Sequence, residues 1–334
     1  MKDSVLVSLT DRNYIDPVKQ LFSSVYHNAG WQGDYLLLCH DVDEKDMQWF
    51  SDRGIITRDV APLYDRDFEH FPPTILSKLY LFDNYFKGWK RVLFLDGDIT
   101  IKACLDGMLD LPGFSAVEDV HAIPLKKQFY KKRHLPDTGS RSRLDRVRST
   151  YDMGRTAFNV GVMSFDTEVI GHSTFNEMLD LFHEYGLLSP YNEQAVLNLY
   201  FADRWSPMPL VYNNYYLYVR PYWTLTPRIT EGICNHFIFQ KPWKIKQGHY
   251  YAQWSRYLGS ADEIDLDRRP PPARIWTDSE INEWTRYMSD MTVRRNIPLL
   301  VNNRIMETLE RGLGLSGRML RAVSPSLHDR VRGG

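Results

Sequence analysis

Residues Arg91–Ile101 read RVLFLDGDITI, in which an apolar run directly precedes two aspartates separated by a glycine. Val92–Leu95 are all apolar, which predicts a central strand covered on both faces of a sheet. Because side chains two residues apart on an extended chain face the same way, Asp96 and Asp98 are expected to converge beyond this strand, while Gly97 leaves room for a ligand near the backbone. Paired carboxylates suit Mg²⁺ or Mn²⁺, which commonly share their coordination with substrate phosphates. The stretch therefore predicts a metal-diphosphate site.

Sequence context distinguishes this aspartate pair from three others. The chain also contains the pairs Asp41/Asp43, Asp65/Asp67 and Asp265/Asp267. No buried-strand pattern precedes any of these three, so we interpret them as solvated turns. Asp96/Asp98 does follow such a pattern, and open α/β sheets bind their ligands at the carboxyl ends of the strands.

Bulk composition restricts the class of protein. The 334 residues suffice for one large or two ordinary domains, and 41 basic against 42 acidic side chains give no global signal for nucleic acid. Cys39, Cys104 and Cys234 show no metal-ligand spacing, which favours buried thiols in a reducing compartment. The N-terminus shows no signal-peptide pattern and no apolar run approaches the ~20 residues of a membrane span, so a cytoplasmic protein is predicted.

Strand and helix patterns alternate along the first part of the chain. Apolar spacing at Ile75, Leu79, Phe82 and Phe86 predicts a helix that Gly88 ends. Further strands are predicted at Ser4–Leu9, Tyr35–Cys39, Ile55–Ile56, Val160–Phe165 and Cys234–Phe239, with helices around Asp16–His27, Glu44–Arg53, Phe175–Phe182 and Val196–Tyr200. This order predicts an α/β fold with a mostly parallel sheet flanked by helices.

A proline run divides the chain near its C-terminal end. Pro270–Pro272 marks a boundary, and the residues that follow it read as an appended helical segment. We therefore predict a catalytic domain at residues 1–260, and a linker with a basic helical segment at residues 261–334.

A series of short motifs resembles glycosyltransferase family 8, the retaining group that includes glycogenin and bacterial lipopolysaccharide glucosyl- and galactosyltransferases. The match covers about residues 4 to 250, and the motifs occur in the family's order. They are Ser77–Leu79, Phe94–Asp98, Phe158–Val162, Asn192–Gln194 with Leu197–Asn198, and His236–Phe237 with Lys241–Trp243.

The resemblance implies a GT-A fold of Rossmann-like type, a UDP-linked sugar donor and Mn²⁺, with Mg²⁺ as the alternative ion. By position, Asp96, Asp98 and His236 would be the protein ligands of the metal. An imidazole beside two carboxylates fits Mn²⁺ better than Mg²⁺. For His236 taken by itself, the alternative is a hydrogen-bonded core histidine.

The resemblance also implies positions that bind the rest of the donor nucleotide. Lys241 would reach the diphosphate and stabilise the charge on the leaving UDP, and Lys78 would lie near the donor. The uracil and ribose would be held by residues that follow the first strand: Leu9, Thr10, Asp11 and Tyr14. Tyr14 has an alternative interpretation as an aromatic residue at the edge of the core.

On the sugar side, Asn159, Glu193 and Gln194 match positions near the transferred hexose, and Asp119 matches a further sugar-binding acid. The family commonly has Asp-Gln where this chain has Glu193-Gln194, which leaves the identity of the sugar open. An oxygen beneath the ring would stabilise the oxocarbenium-like state of retaining transfer. Two routes remain open: a covalent intermediate, and acceptor entry on the face that the diphosphate leaves.

Two basic segments lie outside these motifs. The first, about residues 120–157, is interpreted either as a solvated loop or as a lid or platform for an anionic acceptor. The second is the C-terminal tail, which either contacts an anionic membrane surface or packs against the catalytic domain or a second subunit. Peripheral attachment to the inner face of a membrane is thus one prediction, and oligomerisation is another.

The sequence therefore predicts a retaining, metal-dependent hexosyltransferase that moves glucose or galactose from a UDP-sugar to a glycan or lipid-linked acceptor of the cell envelope. The first alternative is a sugar-phosphate nucleotidyltransferase, for which a glycine-rich phosphate loop is expected after the first strand. Residues 9–13 contain no glycine. The second alternative is a nucleotide-sugar-binding module without catalytic activity.

Overall fold

The computed structural model describes residues 1–68, 71–119, 123–130, 135, 137–215, 230–238, 241–246 and 249–288. Residues Met1–Thr285 form one compact unit. The second unit, Arg286–Gly334, lies outside the described residues beyond position 288. Most of the predicted basic tail falls in that part, and the predicted domain boundary near residue 260 stays a prediction.

The N-terminal half of the sheet is parallel. Its elements are β1 (Lys2–Asp11), α1 (Ile15–Asn28), β2 (Asp34–His40), α2 (Glu44–Ser51) and β3 (Ile56–Asp59). Strand β1 pairs in parallel with β2, and β2 with β3. Each parallel pair requires a crossover between its strands, which α1 and α2 provide. The predicted alternation of strands and helices is confirmed here.

The second half of the sheet has mixed strand directions. Its strands are β4 (Trp89–Leu95), β6 (Phe114–Glu118), β7 (Phe158–Asp166) and β8 (Trp205–Pro207). The order across the sheet is β3-β2-β1-β4-β7-β6-β8. Strand β4 is parallel to β1, while β7 is antiparallel to both β4 and β6. The predicted α/β fold with a mostly parallel sheet is confirmed.

A second, two-stranded sheet lies beside the end of β4. It consists of β5 (Ile99–Ile101) and β9 (Cys234–His236), which are antiparallel. The remaining helices are α3 (Ser140–Thr150), α4 (Thr174–Tyr185), α5 (Glu193–Tyr200) and α6 (His249–Gly259), and residues 278–288 are helical as well.

The helix predicted across Ile75–Phe86 differs in type. The structure has two 3₁₀ segments, Pro73–Phe82 and Asn84–Gly88. Asp83 separates them in an extended conformation, and its side chain accepts a hydrogen bond from the backbone N–H of Tyr85 at 2.9 Å. An aspartate that bonds to its own neighbouring backbone competes with helix continuation, which explains the break.

The basic segment between Asp119 and Asn159 has a small apolar core within its described part. Leu125, Phe129, Leu144 and Val147 are buried against residues of α4 and α5. Arg141, Arg146 and Arg148 of α3 remain exposed on the outside. A helix was not predicted here because only two of the residues in α3 are apolar. The acceptor role of this segment stays a prediction.

Within the described ranges, no helix has both the length and the apolar character that crossing a bilayer requires.

Candidate metal and donor site

The two aspartates lie where β4 ends and the chain turns into β5. The backbone N–H of Asp96 donates to the carbonyl of Gly161 at 2.8 Å, which fixes it against β7. The backbone carbonyl of Asp98 accepts from the N–H of Phe237 at 3.1 Å. Because Ile99 of β5 pairs with His236 of β9, this ladder brings a residue from late in the chain beside Asp98.

Asp96, Asp98 and His236 form a cluster whose potential ligand atoms all lie within 4.8 Å of one another. His236 Nε2 is 3.1 Å from Asp98 Oδ1 and 3.9 Å from Asp96 Oδ2. Adjacent ligands of an octahedral ion at 2.0–2.1 Å are separated by about 3 Å, so this spacing fits a divalent cation. The three residues predicted as metal ligands are therefore brought together.

Each aspartate of the pair is also in contact with a lysine. Lys241 Nζ contacts Asp98 Oδ2 and donates to the carbonyl of Phe237 at 2.8 Å. Lys78 Nζ is 2.9 Å from Asp96 Oδ1. Burial alone would raise the pKa of Asp98, but Lys241 and His236 outweigh burial and hold that pKa well below its usual range. Asp98 is therefore ionised, as a metal ligand must be.

Gly97 has a packing role that the sequence did not indicate. A Cβ atom at this position would lie 2.8 Å from Val18 Cγ2 and 3.2 Å from Tyr14 Cδ1. The space beside Gly97 is thus filled by α1 and the residue before it, and the glycine lets the aspartate loop pack closely against them. The predicted contact of Gly97 with the donor stays a prediction.

The predicted nucleotide-binding residues lie at the carboxyl end of β1 and just after it. Asp11 accepts hydrogen bonds from Thr74 Oγ1 at 3.2 Å and from the backbone N–H of Asn13 at 2.8 Å. The ring of Tyr14 lies beside Gly97, between the two aspartates in sequence, and burial together with Asp98 and Asp96 therefore raises its pKa. The ring of Tyr14 also packs edge-on against Trp243, with 5.6 Å between centroids.

The other two residues of this group are on β1 itself. Thr10 is buried and donates from Oγ1 to the carbonyl of Asp11 at 3.1 Å, and Leu9 is partly buried against the main core. The structure places all four residues at the sheet edge that carries the aspartates. Their contacts with uracil and ribose stay predictions.

A cavity of about 520 Å³ opens nearby, at the carboxyl ends of β2 and β3. Its walls include His40, Asp41, Asp59 and Val60. The metal cluster does not contribute to its walls, so the metal assignment rests on the side-chain cluster alone.

Glu193 and Gln194 begin helix α5 and are both buried. The preceding residue, Asn192, has φ 37°, a strained backbone conformation for a residue with a side chain. Glu193 Oε1 is 3.4 Å from Lys78 Nζ, and Oε2 has no hydrogen-bond partner among the described residues. Burial raises the pKa of Glu193 to about 7, although Lys78 opposes this shift. Lys78 thus lies between Glu193, a predicted sugar-side residue, and Asp96, a predicted metal ligand.

The other predicted sugar-side residues form one hydrogen-bonded group with Gln194. Gln194 Nε2 donates to Asp119 Oδ2 at 3.0 Å, and Asn159 Nδ2 donates to Gln194 Oε1 at 3.3 Å. Gln128 Nε2 donates to the same Asp119 oxygen at 3.0 Å. The structure thus brings together three of the predicted sugar-side residues, Asn159, Asp119 and Gln194. Their contacts with the sugar stay predictions.

Asn213 is a site residue that sequence reasoning missed. It is fully buried, accepts a hydrogen bond from His236 Nδ1 at 2.8 Å and donates to Asn159 Oδ1 at 2.9 Å. It follows a short 3₁₀ segment, Leu210–Tyr212, in a region without a strand or helix period. The residue therefore carried no local signal of function.

The sheet order, with an aspartate pair at the edge where β4 ends, is that of the GT-A fold. The solved structure of an active-site mutant of LgtC shares this fold with a TM-score of 0.59 at 17% identity, covering 77% of this chain and 95% of LgtC. A second solved structure, of the galactosyltransferase LgtC in complex with donor and acceptor sugar analogues, matches with a TM-score of 0.56 at 16% identity, covering 77% of this chain and 95% of that one. The bifunctional glycosyltransferase WbbM matches with a TM-score of 0.56 at 17% identity over 79% of this chain, which spans about half (52%) of WbbM.

The sequence family is established by a match along most of the chain. The model for glycosyl transferase family 8 matches residues 5–247, and the chain belongs to that family. Galactinol synthase 2 of Solanum lycopersicum is 26% identical over 288 residues, which cover 80% of this chain and 77% of the relative. The predicted family is confirmed, and the family sets aside the nucleotidyltransferase alternative.

Proposed function

We propose that this protein is a retaining, divalent-metal-dependent hexosyltransferase that uses a UDP-hexose donor and a glycan or lipid-linked acceptor. The observation that carries the proposal is the convergence of Asp96, Asp98 and His236, with Lys78 and Lys241 on the two carboxylates. Two oxygen ligands and one imidazole suit Mn²⁺, and two further cations suit a diphosphate.

The donor half of the reaction follows from these charges. When bound, a divalent ion held by Asp96, Asp98 and His236 would neutralise the diphosphate and stabilise UDP as a leaving group. Lys241 is partly exposed beside Asp98, so its ammonium group can turn towards the diphosphate. An interaction that strengthens as negative charge develops lowers the barrier to bond cleavage.

The sugar half depends on the group at the start of α5. Retaining transfer needs an oxygen beneath the anomeric carbon, or a path that brings the acceptor in on the face that UDP leaves. Glu193 Oε2, buried and without a partner among the described residues, is an oxygen available for a sugar hydroxyl or for the ring. Gln194 and Asn159 bond each other and would line the same side. Both retaining routes are compatible with this arrangement.

UDP-galactose is the first donor to test. Two of the proteins similar to this chain have names that refer to galactose chemistry, a galactinol synthase and a galactosyltransferase. The name galactinol synthase gives a small product, galactinol, and LgtC was solved with an acceptor sugar analogue. A panel of acceptors should therefore include small alcohols and sugars as well as glycans and lipid-linked sugars.

The experiment is a donor and acceptor screen that measures UDP release by the purified protein with Mn²⁺. We expect one UDP-hexose to be consumed faster than the others and the product to keep the donor's anomeric configuration by proton NMR. A product of inverted configuration would contradict the retaining assignment. Binding of a UDP-sugar without any UDP release would favour the non-catalytic binding module.

A further inference from the structure

A continuous row of buried side-chain hydrogen bonds joins the metal cluster to the sugar-side residues. It runs from His236 through Asn213, Asn159 and Gln194 to Asp119, with donor–acceptor distances of 2.8, 2.9, 3.3 and 3.0 Å. All five side chains are at least nine-tenths buried, with Asn213 fully so. The row therefore links two parts of the proposed active site through polar groups that are almost entirely buried.

The direction of every bond in this row is fixed by groups with only one hydrogen-bonding role. A backbone N–H can only donate, so the amide oxygen that faces it is fixed, and the amide nitrogens then face the next acceptor in the row: Asn159 Nδ2 faces Gln194 Oε1, and Gln194 Nε2 faces Asp119. The backbone N–H of Val160 donates to Gln194 Oε1 at 3.4 Å, and the N–H of Gly161 donates to Asn159 Oδ1 at 2.9 Å. Both amide orientations follow from these donors, so they do not depend on how oxygen and nitrogen were assigned.

The same reasoning reaches the histidine. Since Asn159 presents an oxygen to Asn213, Asn213 must donate its Nδ2 there and turn its Oδ1 towards His236. His236 Nδ1 therefore donates its proton to Asn213, and a metal bound to the neutral ring would use the lone pair on Nε2. Nε2 is the atom that faces Asp96 and Asp98.

We propose that Asn213 is a positioning residue that holds His236 as the Nδ1–H tautomer, with its Nε2 lone pair aimed at the metal, and that the amide row ties this orientation to that of Gln194. The inference deepens the proposed function and rests on its metal assignment. Hydrogen-bonded partners of this kind orient metal-ligating histidines and raise their basicity, and their loss typically weakens metal binding by 10–100-fold.

Two substitutions at Asn213 separate hydrogen bonding from packing. Asn213→Leu keeps a similar shape without any polar atom, and Asn213→Asp keeps an acceptor for His236 Nδ1 but replaces the donor to Asn159. We expect Asn213→Leu to weaken Mn²⁺ binding by about 10–100-fold. Asn213→Asp should keep the wild-type Mn²⁺ affinity, yet lower turnover because a carboxylate turns Asn159 and Gln194 out of place.

Mn²⁺ affinity is measured on the nucleotide-free protein by electron paramagnetic resonance, with circular dichroism to confirm folding. Gln128→Met serves as the matched control, because Gln128 bonds the same Asp119 oxygen but lies outside the row. Its Mn²⁺ affinity should equal that of the wild type. A folded Asn213→Leu protein with wild-type affinity, or an equal loss in Asn213→Leu and Asn213→Asp, would overturn the proposal.

A second readout does not need turnover. Nitrogen-15 NMR of the wild-type protein loaded with Mg²⁺, which is diamagnetic, should show the proton of His236 on Nδ1, where it donates to Asn213. A proton on Nε2 would overturn the proposal, even if Asn213→Leu failed to fold. This readout is independent of activity. If the wild-type protein has the Nδ1 proton but releases no UDP, the result contradicts the proposed function and does not contradict this inference.

Discussion

At the scale of single residues, Gly161 decides where the ring of His236 lies. A Cβ atom on Gly161 would overlap His236 Cε1 and lie 2.8 Å from His236 Nδ1. Because His236 is buried and its Nδ1 is bonded to Asn213, the ring has no room to move aside, so Gly161→Ala should displace it and lower Mn²⁺ affinity by at least about 10-fold. Gly88→Ala is the control, since a Cβ there meets nothing within 4 Å. Titration with free Mn²⁺ measures the affinity of both variants. Equal affinities would contradict the packing argument.

Glu193 makes a testable contribution to the pH dependence of stability. Burial raises its pKa from 4.5 to about 7 against the effect of Lys78, so the folded protein retains a proton that the unfolded chain loses. The free energy of unfolding should therefore fall as the pH rises from about 4.5 to about 7, by at most about 3 kcal/mol, and then level off.

Glu193→Gln removes this titration. In urea unfolding of metal-free protein, the stability of the variant relative to wild type should increase between about pH 5 and about pH 8. Because the two proteins are compared, the contributions of the groups that titrate in both cancel from the difference in their free energies of unfolding. Parallel pH profiles would show that Glu193 is ionised in the folded protein.

At the scale of elements, Arg269 is one of the residues that fasten the chain after α6 to its start. Arg269 donates from Nη1 to the carbonyls of Trp31 at 3.1 Å and Gly33 at 2.6 Å, and from Nε to that of Leu266 at 2.8 Å. Charge-assisted bonds of this kind are strong, so Arg269→Ala should lower the free energy of unfolding by about 2 kcal/mol.

Its neighbour gives the matched control for this prediction. The Arg268 side chain is 88% exposed, and Arg268→Ala should stay within about 0.5 kcal/mol of wild type. Thermal or urea unfolding measures both variants, and Mn²⁺ affinity should not change in either. A similar stability in the two variants would mean that the Arg269 hydrogen bonds do not contribute measurably to the stability of the fold.

Elements with local signals were predicted from the sequence, and those without were not. Strand β4 and the aspartates after it were predicted because an apolar run and its polar end are adjacent in the chain. Strand β6 (Phe114–Glu118) was not predicted, since it is short and its pattern includes serine and glutamate. Its place in the sheet comes from pairing with β7 and β8.

The same distinction applies to the site. Asp96 and Asp98 follow from strand geometry, whereas His236 was predicted through a family resemblance, because its position depends on a pairing between β5 and β9. Asn213 was missed because its partners, His236 and Asn159, lie 23 and 54 residues away in sequence. Buried polar networks depend on tertiary contacts, and a single sequence contains no period that reveals them.

At the scale of the whole molecule, the site residues all lie within the compact unit Met1–Thr285. Deleting the chain from Ile297 onward, a segment outside the described residues, should therefore leave Mn²⁺-dependent UDP release intact. If the acceptor is lipid-linked, the deletion should weaken binding to anionic vesicles at low salt, by about 1 kcal/mol for each basic residue near the surface.

Vesicle sedimentation of the full chain and of the shortened chain measures this effect, and vesicles of neutral lipid provide the control. A full-length protein that ignores anionic vesicles would favour an acceptor free in solution. Unfolding of the shortened chain would instead make the tail a packing element.

The central claim is that Asp96, Asp98 and His236 hold the divalent ion on which donor cleavage depends. The most direct test is the rate of UDP release from the preferred UDP-hexose after EDTA treatment and then during Mn²⁺ titration, for wild type and Asp98→Asn. Asparagine keeps the shape of Asp98 but removes its charge. We therefore expect added Mn²⁺ to restore the turnover of the wild-type protein, while the folded Asp98→Asn protein stays inactive. Turnover that survives EDTA, or an Asp98→Asn protein that Mn²⁺ restores to the wild-type rate, would contradict the claim.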